Sequence, residues 1–401
     1  MRVLFIYRHF WPDTPPYALM LRSMAGHLAG IGHEVSIWCE TPTYGSHVAA
    51  APRSETVDGV LVARLPVLPF WRSSHAVKAL DRLLFPMRTL IRAIFRKISG
   101  ETYDLVITAT NPPAINGFFA LLTARLFGAR FIYHCQDIYP ELGALTGLWA
   151  ANSRVFRIMM RCELWTCRSA HRLVVLCKDM RGTLEARGLP RRRISIINNF
   201  MTQGIVGPSP RQTGSSEPYR VIFSGNMGRF QGLGVVLQAA RMLQDNRAIE
   251  FLLLGGGTEF ESLQQRFRML RNVRFAPGLP IGQAQPIIAA ASLGIVCLQP
   301  GLVRVAYPSK TLTYLGLGVP VLAVVEHGCE LADMIERERV GFVTGTRDSG
   351  VIAQTIRLAY DNRRSIEEVR HRAKDLYARR FSRAETLKRW EDLVAGSACP
   401  G

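Results

Sequence analysis

At 401 residues the chain is too long for one compact core and suits two α/β domains of about 150 to 200 residues each. Hydrophobic residues make up 48% and charged residues 20%, which excludes a disordered or low-complexity chain. The formal charge of +19 calls for an anionic partner, with nucleic acid, anionic lipid and phosphorylated substrate as the classes to weigh.

The opening MRVLFIYRHFWPD holds a short apolar run, Val3–Tyr7, that reads as a first β-strand, with no signal-peptide-length stretch or cleavage site after it. No uncharged run reaches the roughly 18 to 20 apolar residues of a membrane span. A protein on the cytoplasmic side, peripheral to the membrane and not integral, is therefore expected. A helix over Tyr17–Ala29 and a strand at HEVSIW follow. Between Arg72 and Gly100 the chain carries Arg72, Lys78, Arg82, Arg88, Arg92, Arg96 and Lys97 against Asp81 alone, interleaved with leucine, isoleucine and phenylalanine. Such a basic amphipathic helical segment, broken near Pro86, suits an anionic membrane interface, with packing on its own domain as the alternative. Strand DLVITAT, helix Ile115–Phe127 and strands RFIYHC and RLVVLC come next, with Val155–His171 read as a core helix. Near-continuous apolar strands alternating with helices imply a doubly wound parallel sheet.

From Phe200 to Tyr219 the text turns to Gly, Ser, Thr and Pro, as a linker does. A second series follows: YRVIFSG, helix Leu233–Leu243, IEFLLLGGG, helix Glu259–Leu270, VRFAPG, helix Gln283–Ala291, LGIVCL, helix Ser309–Gly316, VPVLAVV and GFVTG. The expectation is an α/β protein of two Rossmann-like domains facing each other across a cleft. Residues 1–205 form the first domain, 218–375 the second, and 376–401 a helical end that packs back on both. Ligands of such sheets bind at the carboxyl ends of the strands.

The stretch VIFSGNMGRFQGLG is strand, glycine loop and helix. Gly225, Gly228 and Gly232 would let amides near an anion, and Arg229 would add a full charge; a structural turn explains the glycines equally. Gly255, Gly256 and Gly257 suit a flat base or ribose, or again a turn. In VAYPSKTLTYLGLGVPVLAV, Pro308 fits the first turn of a helix, so Ser309 and Lys310 would hold a diphosphate leaving group, against the alternative of a solvated lysine. The chain has no Asp-x-Asp pair of the kind that grips a diphosphate through a divalent ion. No metal and no cofactor are expected; Lys310 and Arg229 would do the ion's work. The eight cysteines, Cys39, Cys135, Cys162, Cys167, Cys177, Cys297, Cys329 and Cys399, never fall in a CxxC spacing and read as packed thiols. Nucleic-acid binding has no supporting pattern.

SGNMGRFQGL, LLLGGG, NVRF, YPSKTLTYLGLGVPVL and HGCELADMI, with GHEVSIW near the start and YHCQDIYPELG in the first domain, resemble the family-four retaining glycosyltransferases of GT-B architecture. The similarity is to the branch that builds colanic acid, O-antigen and capsule. The resemblance implies that the loop Gly225–Gln231, with Asn226, Gly228 and Gln231, and the pair Ser309–Lys310 hold the donor pyrophosphate. It implies that Gly255–Gly257 lie beside the nucleotide and that Glu330 belongs to the donor pocket. It places Asp137 and Glu141 toward the transferred sugar and the acceptor, with Asp137, Lys310 and Arg229 as catalytic groups. His134 and Asp13 are further acceptor-side candidates, with a packed strand residue and a solvated loop aspartate as the alternatives. Two glutamates usual in the wider family are replaced by Val305 and Thr313, which leaves the donor sugar and base open. The implied substrates are a nucleotide-sugar donor and a saccharide acceptor on a polyprenyl diphosphate lipid. A nucleotide-sugar 2-epimerase and a non-catalytic membrane- or partner-binding protein are the competing functions.

Overall fold

The computed structural model describes residues 1–43, 51–67, 75–202 and 218–397, with side chains from residue 80 onward in the third stretch. Arg72, Cys399, the side chain of Lys78 and most of the expected linker lie outside the described residues.

The chain divides into two compact units, Met1–Asn198 with Arg383–Gly401, and Asn199–Ser382. The first unit runs β1 (Arg2–Ile6), α1 (Pro16–Gly30), β2 (Glu34–Glu40), β3 (Ser54–Val57), β4 (Val60–Leu65), α2 (His75–Ile98), β5 (Leu105–Ala109), α3 (Ile115–Phe127), β6 (Arg130–Cys135), α4 (Glu141–Leu145), α5 (Arg154–Ser169), β7 (Arg172–Val175), α6 (Lys178–Ala186) and β8 (Ile194–Ile196). The second runs β9 (Tyr219–Asn226), α7 (Gly234–Met242), β10 (Ile249–Gly256), α8 (Phe260–Phe267), β11 (Val273–Ala276), α9 (Ile281–Ala289), β12 (Leu293–Cys297), α10 (Lys310–Gly316), β13 (Val321–Val324), α11 (Glu330–Arg337), β14 (Gly341–Thr344), α12 (Ser349–Asp361) and α13 (Ile366–Arg380); α14 (Arg383–Gly396) rejoins the first.

Strand order in the first sheet is β3-β4-β2-β1-β5-β6-β7-β8, and in the second β11-β10-β9-β12-β13-β14. Every pair is parallel except β3 with β4, an edge hairpin absent from the sequence expectation because its outer strand, SETV, is polar and only half-buried. The central strands β1, β5, β6 and β12 are buried nearly end to end, as their apolar runs require. In each sheet the order reverses direction beside the first strand, so the crevices at the carboxyl ends of β1/β5 and β9/β12 are where the topology opens room for ligands.

Helix α2 continues through Pro86, where a break is expected from sequence. A proline removes one backbone bond and crowds the preceding turn. Here Asp81, Phe85, Thr89 and Ala93, one face at helical spacing, are buried and hold the helix in place. Arg8 pairs with Glu40 and Asp81, and Arg88 with the same two carboxylates, tying α2 to the ends of β1 and β2. Arg88 is thus neutralised inside the fold, and only Arg82, Arg96 and Lys97 present exposed basic groups on the described part of this helix, Arg96 with Glu101 at 3.4 Å. Leu80, Leu83, Met87, Ile91, Ile94 and Ile98 form an apolar stripe along the solvent side. Helix α5, expected to be core, buries Glu163, Thr166 and Cys167 yet leaves Val155 and Ile158 exposed. Among the described residues no helix is long and apolar enough to cross a membrane.

In the second unit Arg370 is buried, its guanidinium donating to the carbonyls of Ala289, Gly318 and Ala291 at 3.0, 3.2 and 2.6 Å. It therefore joins α13 to the ends of α9 and α10. Arg370→Met leaves three carbonyls without donors at about 1 kcal/mol or more each, so urea unfolding is expected to lose roughly 3 kcal/mol; a loss within error of zero would show that water replaces the guanidinium.

Candidate active site

At the carboxyl end of the second sheet, the loops after β9 and β10 interlock. Gly225 and Gly255 sit side by side in register. A Cβ on Gly255 would lie 2.0 Å from the Gly225 carbonyl oxygen, and one on Gly257 2.6 and 2.7 Å from the Met227 backbone. Both glycines also have φ near +140 to +150°, at +138° and +150°, which side chains disfavour. These positions are glycine because two backbones touch there.

The loop spends several of its own amides internally. Gly228 N–H donates to Gln231 Oε1 at 3.0 Å, and Met227 N–H to the Gly256 carbonyl at 2.6 Å. Its free charge is therefore Arg229, exposed and without a carboxylate partner among the described residues; Asn226 beside it is also exposed. Arg347 clamps the loop from behind, donating to the carbonyls of Gly232 at 2.6 Å and Leu298 at 2.7 Å, and so fixes it to the end of β12.

Lys310 opens α10. Its Nζ lies 4.2 Å from the centre of the Phe223 ring, and its Cε lies 3.8 Å from where a Cβ of Gly225 would be. The residue is half-buried, and no carboxylate pairs with it among the described residues. Burial lowers its ammonium to about 8, opposed by the neighbouring Cys297. Tyr314, one turn on, explains the placement: its hydroxyl accepts from Ser224 N–H at 3.0 Å and its ring fills the space over Gly294, where a Cβ would lie 2.7 Å away. Ser309 precedes Lys310, exposed and with no side-chain bond to the helix.

Glu330 stands at the start of α11 with Arg380 donating to it at 3.0 Å. Val305 is buried and Thr313 half-buried. Glu326, which the sequence did not single out, follows β13. One of its oxygens accepts from Gly301 N–H; the other is buried with no partner among the described residues. A strand-end carboxylate is not distinctive by itself, so sequence offered no signal for it.

In the first unit Asp137 follows β6, its N–H donating to Thr110 Oγ1 at 3.3 Å. Its half-buried carboxyl has no hydrogen-bond or ion-pair partner among the described residues, and burial raises it to about 6. Its charge in turn adds to the burial that lifts Tyr7 to about 12. His134 is fully buried. The Gln136 amide lies 2.7 Å from Nε2 and the Tyr17 hydroxyl 3.0 Å from Nδ1, while Trp390 of α14 packs edge-on at 4.9 Å. With the amide donating to Nε2, the proton sits on Nδ1. Burial lowers this ring to about 3, so it is neutral. Glu141 forms a two-point pair with Arg187, which also donates to the Tyr139 carbonyl at 2.7 Å. Asp13 is buried, with His9 at 2.8 Å and Thr43 N–H at 3.0 Å. The solvated-loop alternative for Asp13 is thereby overturned. Of the four first-unit candidates, Asp137 alone keeps an acid group unengaged among the described residues.

Cys135, Glu163 and Cys167 place their ligand atoms within 4.8 Å of one another between β6 and α5. Tyr133 donates to Glu163 at 3.2 Å, and burial lifts Glu163 to about 7. The Cys167 thiol, hydrogen-bonded to Cys135 and buried, is raised well above its usual range. The three groups pack and hydrogen-bond to one another and to Tyr133 between β6 and α5.

A burial-raised carboxyl costs stability once it ionises. The folded Asp137 holds its proton to about pH 6 while the unfolded one loses it near 4, so the cost grows between those values and persists above them. Asp137→Asn is accordingly expected to raise the stability of the protein by about 1 to 3 kcal/mol at pH 8 and to leave it unchanged at pH 4, measured by urea unfolding at both. Equal stability at pH 8 would mean that the carboxylate is solvated.

Two family models match the chain, "Glycosyl transferase 4-like domain" over residues 17–199 and "Glycosyl transferases group 1" over 218–362. The chain is 27% identical to the glycosyltransferase WbjE of Pseudomonas aeruginosa over 63% of its own length and 65% of that relative's. It is 23% identical to the colanic acid biosynthesis glycosyl transferase WcaI of Escherichia coli K12, over 84% and 86% of the two chains. Among solved structures, sucrose-phosphate synthase of Thermosynechococcus elongatus superposes with a TM-score of 0.74 at 14% identity, covering 98% of each chain. Anabaena Alr3699/HepE, solved in complex with UDP, gives 0.69 at 15% identity over 99% and 100%.

Proposed function

Because the chain belongs to the family-four glycosyltransferases of GT-B architecture, we propose that it moves a sugar from a nucleoside diphosphate sugar to a lipid-linked saccharide acceptor in cell-surface polysaccharide synthesis. The observation that carries this reading is Lys310, a half-buried ammonium at the carboxyl end of the second sheet with no counter-ion among the described residues. An ammonium held there without a partner costs free energy that a diphosphate returns. Phe223 under Nζ and Tyr314, one turn along α10 and bonded to Ser224, fix its position before the substrate arrives. Arg229 supplies a second, exposed cation from the loop after β9. Together they stand in for a divalent ion, and no cofactor takes part.

In the transfer, the bond from the anomeric carbon to the phosphate oxygen breaks and a bond to the acceptor oxygen forms on the same face, so configuration is retained. The acceptor's proton goes to the departing diphosphate, and Asp137, ionised above about pH 6, holds the sugar or the acceptor by accepting from a hydroxyl.

Release of nucleoside diphosphate from a panel of nucleotide-sugars, with a polyprenyl diphosphate saccharide present, tests the reading. Activity is expected to persist in EDTA and to fall about 100- to 1000-fold in Lys310→Ala, the scale of losing one fixed donor to a developing charge. Sugar conversion without acceptor would replace the reading with an epimerase; activity that needs added metal and ignores Lys310 would end it.

The acceptor's lipid suits the stripe along α2. Leu83, Met87, Ile91, Ile94, Phe95 and Ile98 are exposed beside Arg82, Arg96 and Lys97. Apolar side chains enter the interface and each cation adds about 1 kcal/mol at an anionic leaflet. Reversing the three charges to glutamate is expected to abolish cosedimentation with phosphatidylglycerol vesicles at low salt while leaving the fold intact, since none of the three joins the buried ion pairs. Undiminished cosedimentation would assign membrane contact to another surface.

A further inference from the structure

The opposite end of the first sheet carries a feature that the transfer reaction does not use. A cavity of about 440 Å³ opens at the amino ends of β6 and β7, lined by Arg125, Arg130, His171, Arg172, Arg192 and Arg193 among others, with no acidic residue in its wall. It lies at the start of β6, Asp137 beyond its end. Six residues of strand separate them, or about 20 Å at 3.3 Å per residue. We propose that this cavity is a second anion site, built to take a phosphate-bearing group.

The charge in the wall is unbalanced. None of the five arginines has a carboxylate within ion-pair distance among the described residues. Three are held by neutral groups: Arg125 donates to Ser169 Oγ at 3.1 Å, Arg193 to the Arg168 carbonyl at 3.1 Å, and Arg130 to the Ser397 carbonyl. These acceptors sit at the ends of α5 and α14, and Arg125 near the end of α3. Each helix end offers about half a negative charge, so about −1.5 in all faces a formal +5. The contacts orient the guanidinium groups without neutralising them.

Donor groups in the same wall also remain unused among the described residues. Arg172 and Arg192 make no side-chain hydrogen bond or ion pair among the described residues. His171 Nε2 is buried and also lacks a partner. That ring reports the local field: burial, then Arg172, Arg130 and Arg193, lower its proton affinity. Planar donors converging on one cavity match phosphate oxygens two at a time. The group could arrive on a soluble phosphate or on a lipid headgroup; the chemistry recognised is the same.

The site is independent of the donor reading, and titrating inorganic pyrophosphate into full-length Lys310→Ala protein by calorimetry removes the ammonium proposed for the donor from the measurement. Saturable binding is expected, weakened at least tenfold by R172Q/R192Q and partly recovered by R172K/R192K. Arg192 is exposed, so R192Q alone serves if the pair lowers the melting temperature. If pyrophosphate displaces phosphatidylglycerol vesicles and R172Q/R192Q releases them, the source is a headgroup; if the pair weakens pyrophosphate and leaves vesicle binding alone, it is soluble phosphate. Pyrophosphate affinity unchanged by the substitutions in folded protein overturns the site.

Discussion

A half-buried ammonium with no counter-ion among the described residues is the constraint around which the second unit is arranged. Lys310 is held there by elements distant in sequence: the Phe223 ring of β9, the Tyr314 hydroxyl bonded to Ser224, and the loop glycines that let β9 and β10 close on each other. They cost stability by withholding water from a cation, and stability given up at a site is returned when an anion binds. Asp137 in the first unit shows the same economy with the opposite charge, a carboxyl raised to about 6 by burial with nothing to offset it.

Much of the fold was legible because buried parallel strands write themselves as apolar runs. The expected helix Ile115–Phe127 coincides with α3, and strand RFIYHC with β6. What escaped was either polar or tertiary in origin. The β3–β4 hairpin has too little apolar content to register, and Pro86 reads as a break unless one knows that Asp81, Phe85, Thr89 and Ala93 are buried along one face.

The site was legible to the extent that its groups carry local signatures. A lysine after Pro-Ser at a helix start and glycines at strand ends can be read from neighbours in the chain. Arg347, Tyr314 and Glu326 cannot, since each works through a partner far away in sequence: Gly232, Ser224 and Gly301. The same limit applies to the candidates that proved to be engaged. Nothing local distinguishes Glu141, committed to Arg187, from Asp137, committed to nothing. Nor does the net charge of the sequence reveal that Arg88 is neutralised inside the fold while the arginines around the β6–β7 cavity are not.

Donor binding turns on one titrating group. Reductive ¹³C-methylation of the lysines, with Lys310 assigned by its absence in Lys310→Ala, lets its pKa be read by NMR with and without a nucleoside diphosphate. A midpoint near 8 is expected in the free protein, moving upward by more than about one unit when the diphosphate binds, because a neighbouring anion favours the charged form. A midpoint at the ordinary lysine value that does not respond to the nucleotide would contradict it.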